Sequence, residues 1–165
     1  MKHLYMMRHD QTLFNVRKRI QGWCDSPLTE EGIKQAIKAR EILKDIPFDH
    51  YYSSTAERAC DTLEIVTEGN KPYKRLKGLK ERNFGLFEGE SEDLNPHFED
   101  FRYDDLFPHY GGETTEEVMD RLKTTLTYIM GKEDHHTVLA VSHAGASMAF
   151  LKTVTDPSVV LKNGG

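Results

Sequence analysis

Two histidines, His9 and His143, and two arginines, Arg8 and Arg58, stand at or shortly beyond the ends of short apolar runs. An imidazole supplies either a neutral nitrogen that can attack or a cation that can clamp. A guanidinium supplies a fork of N–H donors that matches phosphate and keeps its charge. Gathered at one place, the four residues make an anion pocket, and phosphate is the guest their chemistry fits. Ala144-Gly145, directly after His143, add backbone N–H donors at the start of a following helix, a known anion-binding device. Taken singly none is informative, since a histidine at a strand end more often packs or caps and an isolated arginine is usually a surface charge. His135-His136 has the look of a metal site, but adjacent side chains diverge and no third ligand is suggested. A pair of surface histidines, and no metal, is the expectation there.

The surrounding elements must bring these residues together. Leu4-Tyr5-Met6-Met7 reads as a buried strand that enters Arg8-His9-Asp10. Thr29 is placed to cap a helix carrying the stripe Ile33, Ala36, Ile37, Ile42 and Leu43. His50-Tyr51-Tyr52 reads as a second strand running into Ser53-Ser54, followed by helical character over 56–67 until Gly69. The stretch 88–112, dense in acids interleaved with aromatics such as Phe98, Phe101 and Phe107, is expected to be a short helix with flanking loops. Thr114 and Glu117 form a capping box opening a helix with stripe Val118, Leu122, Leu126 and Ile129, which Gly131 ends. Thr137-Val138-Leu139-Ala140-Val141 is the clearest strand, and it delivers Ser142-His143. Strands alternating with helices predict an α/β domain with a mostly parallel sheet, whose functional residues gather beyond the carboxyl ends of the strands. In such a sheet, Arg8-His9, Ser53-Ser54 with Arg58, and His143 share one edge.

Composition narrows the function classes. At 165 residues the chain is read as one domain, 1–165, with 88–112 as a short lid-like insertion. Against 22 Lys+Arg stand 27 Asp+Glu, and the net charge of −5 gives no general attraction to nucleic acid or to an anionic membrane. No apolar run approaches the roughly 20 residues that span a bilayer, and a cytoplasmic location is expected. Cys24 and Cys60 make neither a CxxC pair nor a zinc quartet and are read as reduced.

The ordered set of motifs resembles the histidine phosphatase superfamily, in its phosphoglycerate mutase-like branch. The matching residues begin with Arg8-His9, Thr12 and Asn15, then Arg19-Ile20-Gln21-Gly22-Trp23, Asp25, Pro27-Leu28-Thr29 and Gly32. They continue through Ser53-Ser54, Glu57-Arg58-Ala59, Thr62, Leu79-Lys80-Glu81, Phe84-Gly85, Glu88-Gly89, Gly112-Glu113-Thr114 and Val141-Ser142-His143-Ala144-Gly145. The resemblance implies a three-layer α/β/α fold and a phosphatase that needs no cofactor and no metal. His9 would be the nucleophile forming a phosphohistidine, and Arg8, Arg58 and a cationic His143 would clamp the phosphoryl oxygens. Glu81 would protonate the leaving group and then activate water. Asn15, Gln21, Gly22, Ala144 and Gly145 would bind phosphate or substrate.

Two features depart from the family pattern. Asp10 follows the nucleophile where the family usually has Gly. A carboxylate roughly 4 Å from phosphate costs about 4 kcal/mol at an effective dielectric near 20. The Asp10 side chain therefore points away, pairs with a cation or orients the His9 ring, and activity below that of a Gly variant is expected. The C-terminal end, 161–165, stops where relatives commonly continue into another strand, so an edge strand is expected to be missing. Mutases of the family carry a long insertion after the catalytic Glu and extra cations. The compact, acidic 88–112 stretch favours a phosphatase acting on a small phosphorylated metabolite, with a phosphoglycerate mutase or a weakly catalytic phospho-ligand or partner-binding protein as alternatives. The oligomeric state is left open, a homodimer being one option.

Overall fold

In the computed structural model, residues 1–95 and 103–154 are described. The apolar run after His136 forms the strand Thr137–Ser142, buried along nearly its whole length because both of its faces are covered. Among the described residues four parallel strands make one sheet: β1 (His3–Arg8), β2 (His50–Ser53), β3 (Lys74–Arg75) and β4 (Thr137–Ser142), in spatial order β1-β4-β2-β3. Alternation along β4 sends Val138 and Ala140 to one face, and Leu139 and Val141 to the other.

The helices are α1 (Leu13–Val16), α2 (Glu30–Leu43), α3 (Glu57–Val66), α4 (Tyr103–Leu106), α5 (Thr115–Met130) and α6 (Ala144–Val154). On one face of the sheet Val118, Leu122, Leu126 and Ile129 of α5 pack with Ala146 and Ala149 of α6. On the other, Ala59, Leu63 and Val66 of α3 meet Leu139 and Val141, with Ala39 and Leu43 of α2 behind them. The result is the expected three-layer α/β/α sandwich. The capping box forms as read, Glu117 N–H donating to Thr114 Oγ1 at 3.1 Å and Thr114 N–H to Glu117 Oε2 at 2.8 Å. Each large side chain of the α5 stripe contributes about 1.5–3 kcal/mol through burial.

Helix α2 differs from its reading. Thr29 caps it, accepting from Gly32 N–H at 3.0 Å, but Ile33, Ile37 and Ile42 are exposed and the buried face is Gly32 and Ala36. A Cβ on Gly32 would sit 2.1 Å from the Gln11 carbonyl oxygen, so this glycine lets the helix approach the loop after His9. The two-residue strand β3 has no apolar signal, being a pair of exposed cations at the sheet edge. Within 88–112, the described residues form the 3₁₀ turns Glu92–Leu94 and Phe107–Tyr110 around the short α4. Phe98, Phe101 and 161–165, with the edge strand expected to be missing there, lie outside the described residues. Among the described residues no helix is long and apolar enough to cross a membrane. Both cysteines are free, and burial pushes each thiol's pKa up, that of Cys24 to about 12.

Strand register places the site. Arg8 pairs with Ser142 and Ser53 with Val141, so three strands end nearly level. The ladder runs one residue further, His9 N–H donating to Ser142 O at 3.1 Å and Ser54 N–H to Val141 O at 3.0 Å. His9, Ser54 and His143 therefore emerge side by side.

Candidate active site

His9 is buried, and its ring centroid lies 5.1 Å from that of His143, edge to face. His9 Nδ1 is 2.8 Å from the Asp10 carbonyl oxygen, which can only accept, so Nδ1 carries the proton and Nε2 presents a lone pair. Burial, with the Arg58 guanidinium beside it, holds the imidazole pKa down at about 3. The ring is therefore neutral, the form a nucleophile needs.

Arg58, in the first turn of α3, is fully buried. Its Nη1 donates to Cys24 O at 2.8 Å and Asp25 Oδ1 at 2.9 Å, and its Nη2 to Gly22 O at 2.8 Å. Its Nε is buried without an acceptor, leaving one donor for a ligand. Asp25 also accepts from Glu57 N–H at 2.6 Å, supplying the cap that Ala56 cannot give to α3. Arg8, by contrast, is exposed at the end of β1 and makes no ion pair among the described residues.

His143 departs from its expected cationic state. Arg58 Nη2 lies 3.1 Å from His143 Nδ1 and must donate to it, so that nitrogen offers a lone pair. Nε2, 2.7 Å from Ser54 Oγ, then carries the proton. Burial first, and Arg58 second, hold the pKa of this imidazole well below the ordinary value. His143 is a neutral donor here, and the fixed positive charge belongs to arginine.

Glu81 is buried at the start of α6, its Oε2 accepting from Gly145 N–H at 2.9 Å and its Oε1 from Arg82 N–H at 2.8 Å. The loop carrying it is held from several sides. Ser142 Oγ donates to Leu79 O, Trp23 Nε1 to Glu81 O at 3.0 Å, and Arg121 to the carbonyls of Gly78, Lys80 and Glu81. Arg121 is itself locked by Glu113. The Gly145 N–H, expected to face the anion, is thus occupied by Glu81, and a Cβ on Gly145 would meet Glu81 Oε1 at 2.7 Å. Ala144 begins the helix beside it.

Gly22 is likewise no free donor. Its N–H goes to Glu88 Oε2 at 3.1 Å, and a Cβ there would lie 2.0 Å from Arg82 O. Glu88 also accepts from the N–H groups of Trp23, Cys24 and Phe84. Burial works to raise its carboxyl pKa, and the hydrogen bonds from Cys24, Phe84 and Trp23 nevertheless hold it below the usual value. Glu88 thereby fixes the loop whose carbonyls hold Arg58. Gln21 is tied at both ends, to Thr12 Oγ1 at 2.9 Å and Ser26 Oγ at 2.6 Å, and Asn15 Oδ1 closes a capping box on Thr12. Both still line a cavity of about 700 Å³ with Ile20, Glu81, Phe84 and Met148. Ala144 and Gly145 also line it, whereas His9, His143 and Arg58 do not.

Sequence reasoning passed over the supporting roles of Glu88, Asp25, Trp23, Glu113 and Arg121. Glu88, Asp25, Trp23 and Glu113 stand within recognised motifs, but Arg121 carries no local signal. The Asp10 carboxylate neither orients the His9 ring nor pairs with a cation among the described residues. The group accepting from the His9 ring is its backbone carbonyl, no ion pair reaches its carboxylate among the described residues, and Oδ2 is buried without a partner. Burial pushes this carboxyl pKa up to about 6 against the pull of Arg8.

A parallel sheet whose strand ends assemble a neutral imidazole, a buried guanidinium and a carboxyl group has the parts of a phosphoryl-transfer site of the histidine type. Residues 4–160 match the model of the histidine phosphatase superfamily (branch 1), and the chain belongs to that superfamily. It is 31% identical over 163 residues to a probable phosphoglycerate mutase GpmB of Proteus mirabilis, covering 93% of this chain and 75% of the relative. It is 32% identical over 158 residues to the uncharacterized phosphatase PhoE of Bacillus subtilis, with 93% and 79% covered. Among solved structures, Bacillus stearothermophilus YhfR superposes with a TM-score of 0.81 at 32% identity, over 91% of this chain and 78% of that one.

Proposed function

We propose that the chain hydrolyses phosphomonoesters of small molecules through a phosphohistidine on His9. Nε2 attacks phosphorus in line, forming the P–N bond as the ester P–O bond breaks, and Glu81 gives its proton to the departing alkoxide. Glu81, now a carboxylate, takes a proton from water as that water's oxygen displaces the histidine. Arg58 and Arg8 supply positive charge to the phosphoryl oxygens where transition-state charge spreads, and His143 adds a donor by turning its one N–H from Ser54 Oγ to the bound group. The state of His9 carries this reading: a buried neutral ring with Nδ1–H committed to a carbonyl and Nε2 left to react.

Steady-state hydrolysis of an aryl phosphate in EDTA tests it. Turnover should persist in the native protein and vanish in His9→Ala. The relatives named phosphoglycerate mutases support a second reading, which predicts a long-lived phosphoenzyme and activation by a bisphosphorylated glycerate. The cavity lining sets the cations Arg19, Arg82 and Lys152 against the acids Glu81, Glu92 and Asp104, so its charge favours neither reading and the kinetics decide. Absence of turnover in native protein, with activity in Asp10→Gly, would point instead to phospho-ligand or partner binding. The free thiols and the net charge of −5 support a cytoplasmic protein acting on a soluble metabolite, with a homodimer the assembly to test by light scattering.

A further inference from the structure

His135 corrects its sequence reading, for it is buried at 3% exposure instead of lying on the surface. Its partner is not His136 but His50, 85 residues earlier, whose ring stacks on it with centroids 3.6 Å apart and planes 14° from parallel. Both rings turn a nitrogen to one carboxylate. His50 Nε2 lies 3.0 Å from Asp134 Oδ2, and His135 Nδ1 lies 2.8 Å from Asp134 Oδ1. We infer that His50, Asp134 and His135 bind one divalent transition-metal ion of the zinc class, at the amino-terminal edge of the sheet and apart from the phosphate pocket.

Donor type and spacing fit such an ion. Two imidazoles and a carboxylate are borderline-soft ligands that prefer zinc, nickel or copper to magnesium or calcium. The three ligand atoms lie within 4.8 Å of one another. A tetrahedral ion with bonds near 2.0–2.1 Å needs its donors roughly 3.3 Å apart. Asp134, 70% exposed, has the freedom to close that difference, and the His50 side chain, 34% exposed, must also turn out of its near-parallel stack so that both ring lone pairs aim at one ion beside the buried His135. A fourth position falls to water.

The support around the site is built as metal sites require. His135 Nε2 is 2.7 Å from the buried Tyr52 hydroxyl, an outer partner that fixes the ring. A metal on Nδ1 places the ring proton on Nε2, donated to the Tyr52 oxygen. The Asp49 carboxylate accepts from His136 N–H at 2.8 Å and Thr137 N–H at 3.0 Å, pinning the segment after His135 beside the start of β2. Lys132, whose Nζ is 3.2 Å from the Tyr52 hydroxyl, opposes a second positive charge, so moderate affinity is expected. β2 is four residues long, about 13 Å, which separates this site from Ser54 and the chemistry. A bound ion would tie β2 to the α5–β4 connection and raise stability without entering the reaction.

Chelator-treated protein titrated with Zn²⁺ by calorimetry and by thermal unfolding tests the assignment. One ion per chain is expected, with a Tm rise of roughly 5–10 °C at free Zn²⁺ about 100 times Kd. His50→Ala and Asp134→Ala should each weaken binding at least 10-fold and remove the Tm rise, while His136→Ala keeps both. Should either variant misfold, imidazole ¹⁵N spectra of the intact protein decide, for Zn²⁺ must move His50 and His135 and leave His143 in place. No saturable binding, equal binding in all three variants, or shifts confined to other histidines would overturn the assignment and leave a hydrogen-bonded His–Asp–His cluster.

Discussion

The two ends of one sheet each hold a close pair of histidines, and the pairs differ in what stands beside them. At the carboxyl end His9 and His143 meet edge to face at 5.1 Å against the buried Arg58. At the amino end His50 and His135 stack at 3.6 Å and share Asp134. Burial first and the guanidinium second keep the one pair neutral, and the guanidinium invites an anion, whereas a carboxylate completes a donor set for a cation. The same residue type, in pairs at the two ends of strand β4, is thus directed to opposite chemistry by its burial and by the charge beside it.

The contrast breaks first at Arg58. Arg58→Lys loses the fork that reaches Gly22, Cys24 and Asp25, and kcat/KM for an aryl phosphate should fall on the order of 10²- to 10³-fold. Steady-state kinetics on folded protein checks this, and a loss below 3-fold would remove Arg58 from the clamp. Glu81→Gln should separate substrates. Hydrolysis of an alkyl phosphate, whose alkoxide needs a proton, should drop about 10²-fold or more, while an aryl phosphate with a good leaving group loses far less in the phosphorylation step. Equal losses on both, measured by single-turnover kinetics, would deny Glu81 the acid role.

Asp10 gives a pH test with a definite sign. Its carboxyl pKa, raised from 3.8 to about 6, binds its proton more tightly in the folded state. Asp10's own contribution to stability is therefore fully present below about pH 4 and is lost as pH rises through about 6, and Asp10→Asn should remove that part of the pH dependence in denaturant titrations. The same ionisation puts an unpaired negative charge beside His9. Asp10→Gly should raise kcat/KM several-fold at pH 8 and have little effect near pH 5. Since His9 is neutral above about pH 3, it should impose no fall in rate around its ordinary value of 6.5. The smallest expected effect sharpens the comparison from the other end, because His50→Ala should leave kcat/KM within about twofold.

Local signals carried most of the architecture. The Thr114 capping box, the α5 stripe and the β-branched run of β4 are set by neighbours in sequence, and each forms as read. The face of α2 was not legible, since its burial depends on Gly32 approaching Gln11 in a loop 21 residues earlier by sequence number. Strand β3 was not legible because two exposed cations carry no pattern. In the site, the strand ends told which side chains would converge, but not their proton positions or the destinations of backbone N–H groups. The acceptor for Gly22 is Glu88, and that for Gly145 is Glu81, both more than 60 residues away. The burial of His135 has no local signal for the same reason, its stacking partner His50 lying on β2, 85 residues earlier.

The central claim is that His9 accepts a phosphoryl group through Nε2. Rapid mixing of the protein with excess aryl phosphate, an alkaline quench that preserves phosphohistidine, and mass spectrometry of the peptides tests it most directly. The account predicts one phosphoryl group on the peptide containing His9, lost on acid treatment, absent in His9→Ala and longer-lived when Glu81→Gln slows hydrolysis. Turnover in native protein with no label on His9, or label elsewhere that survives in His9→Ala, would contradict it.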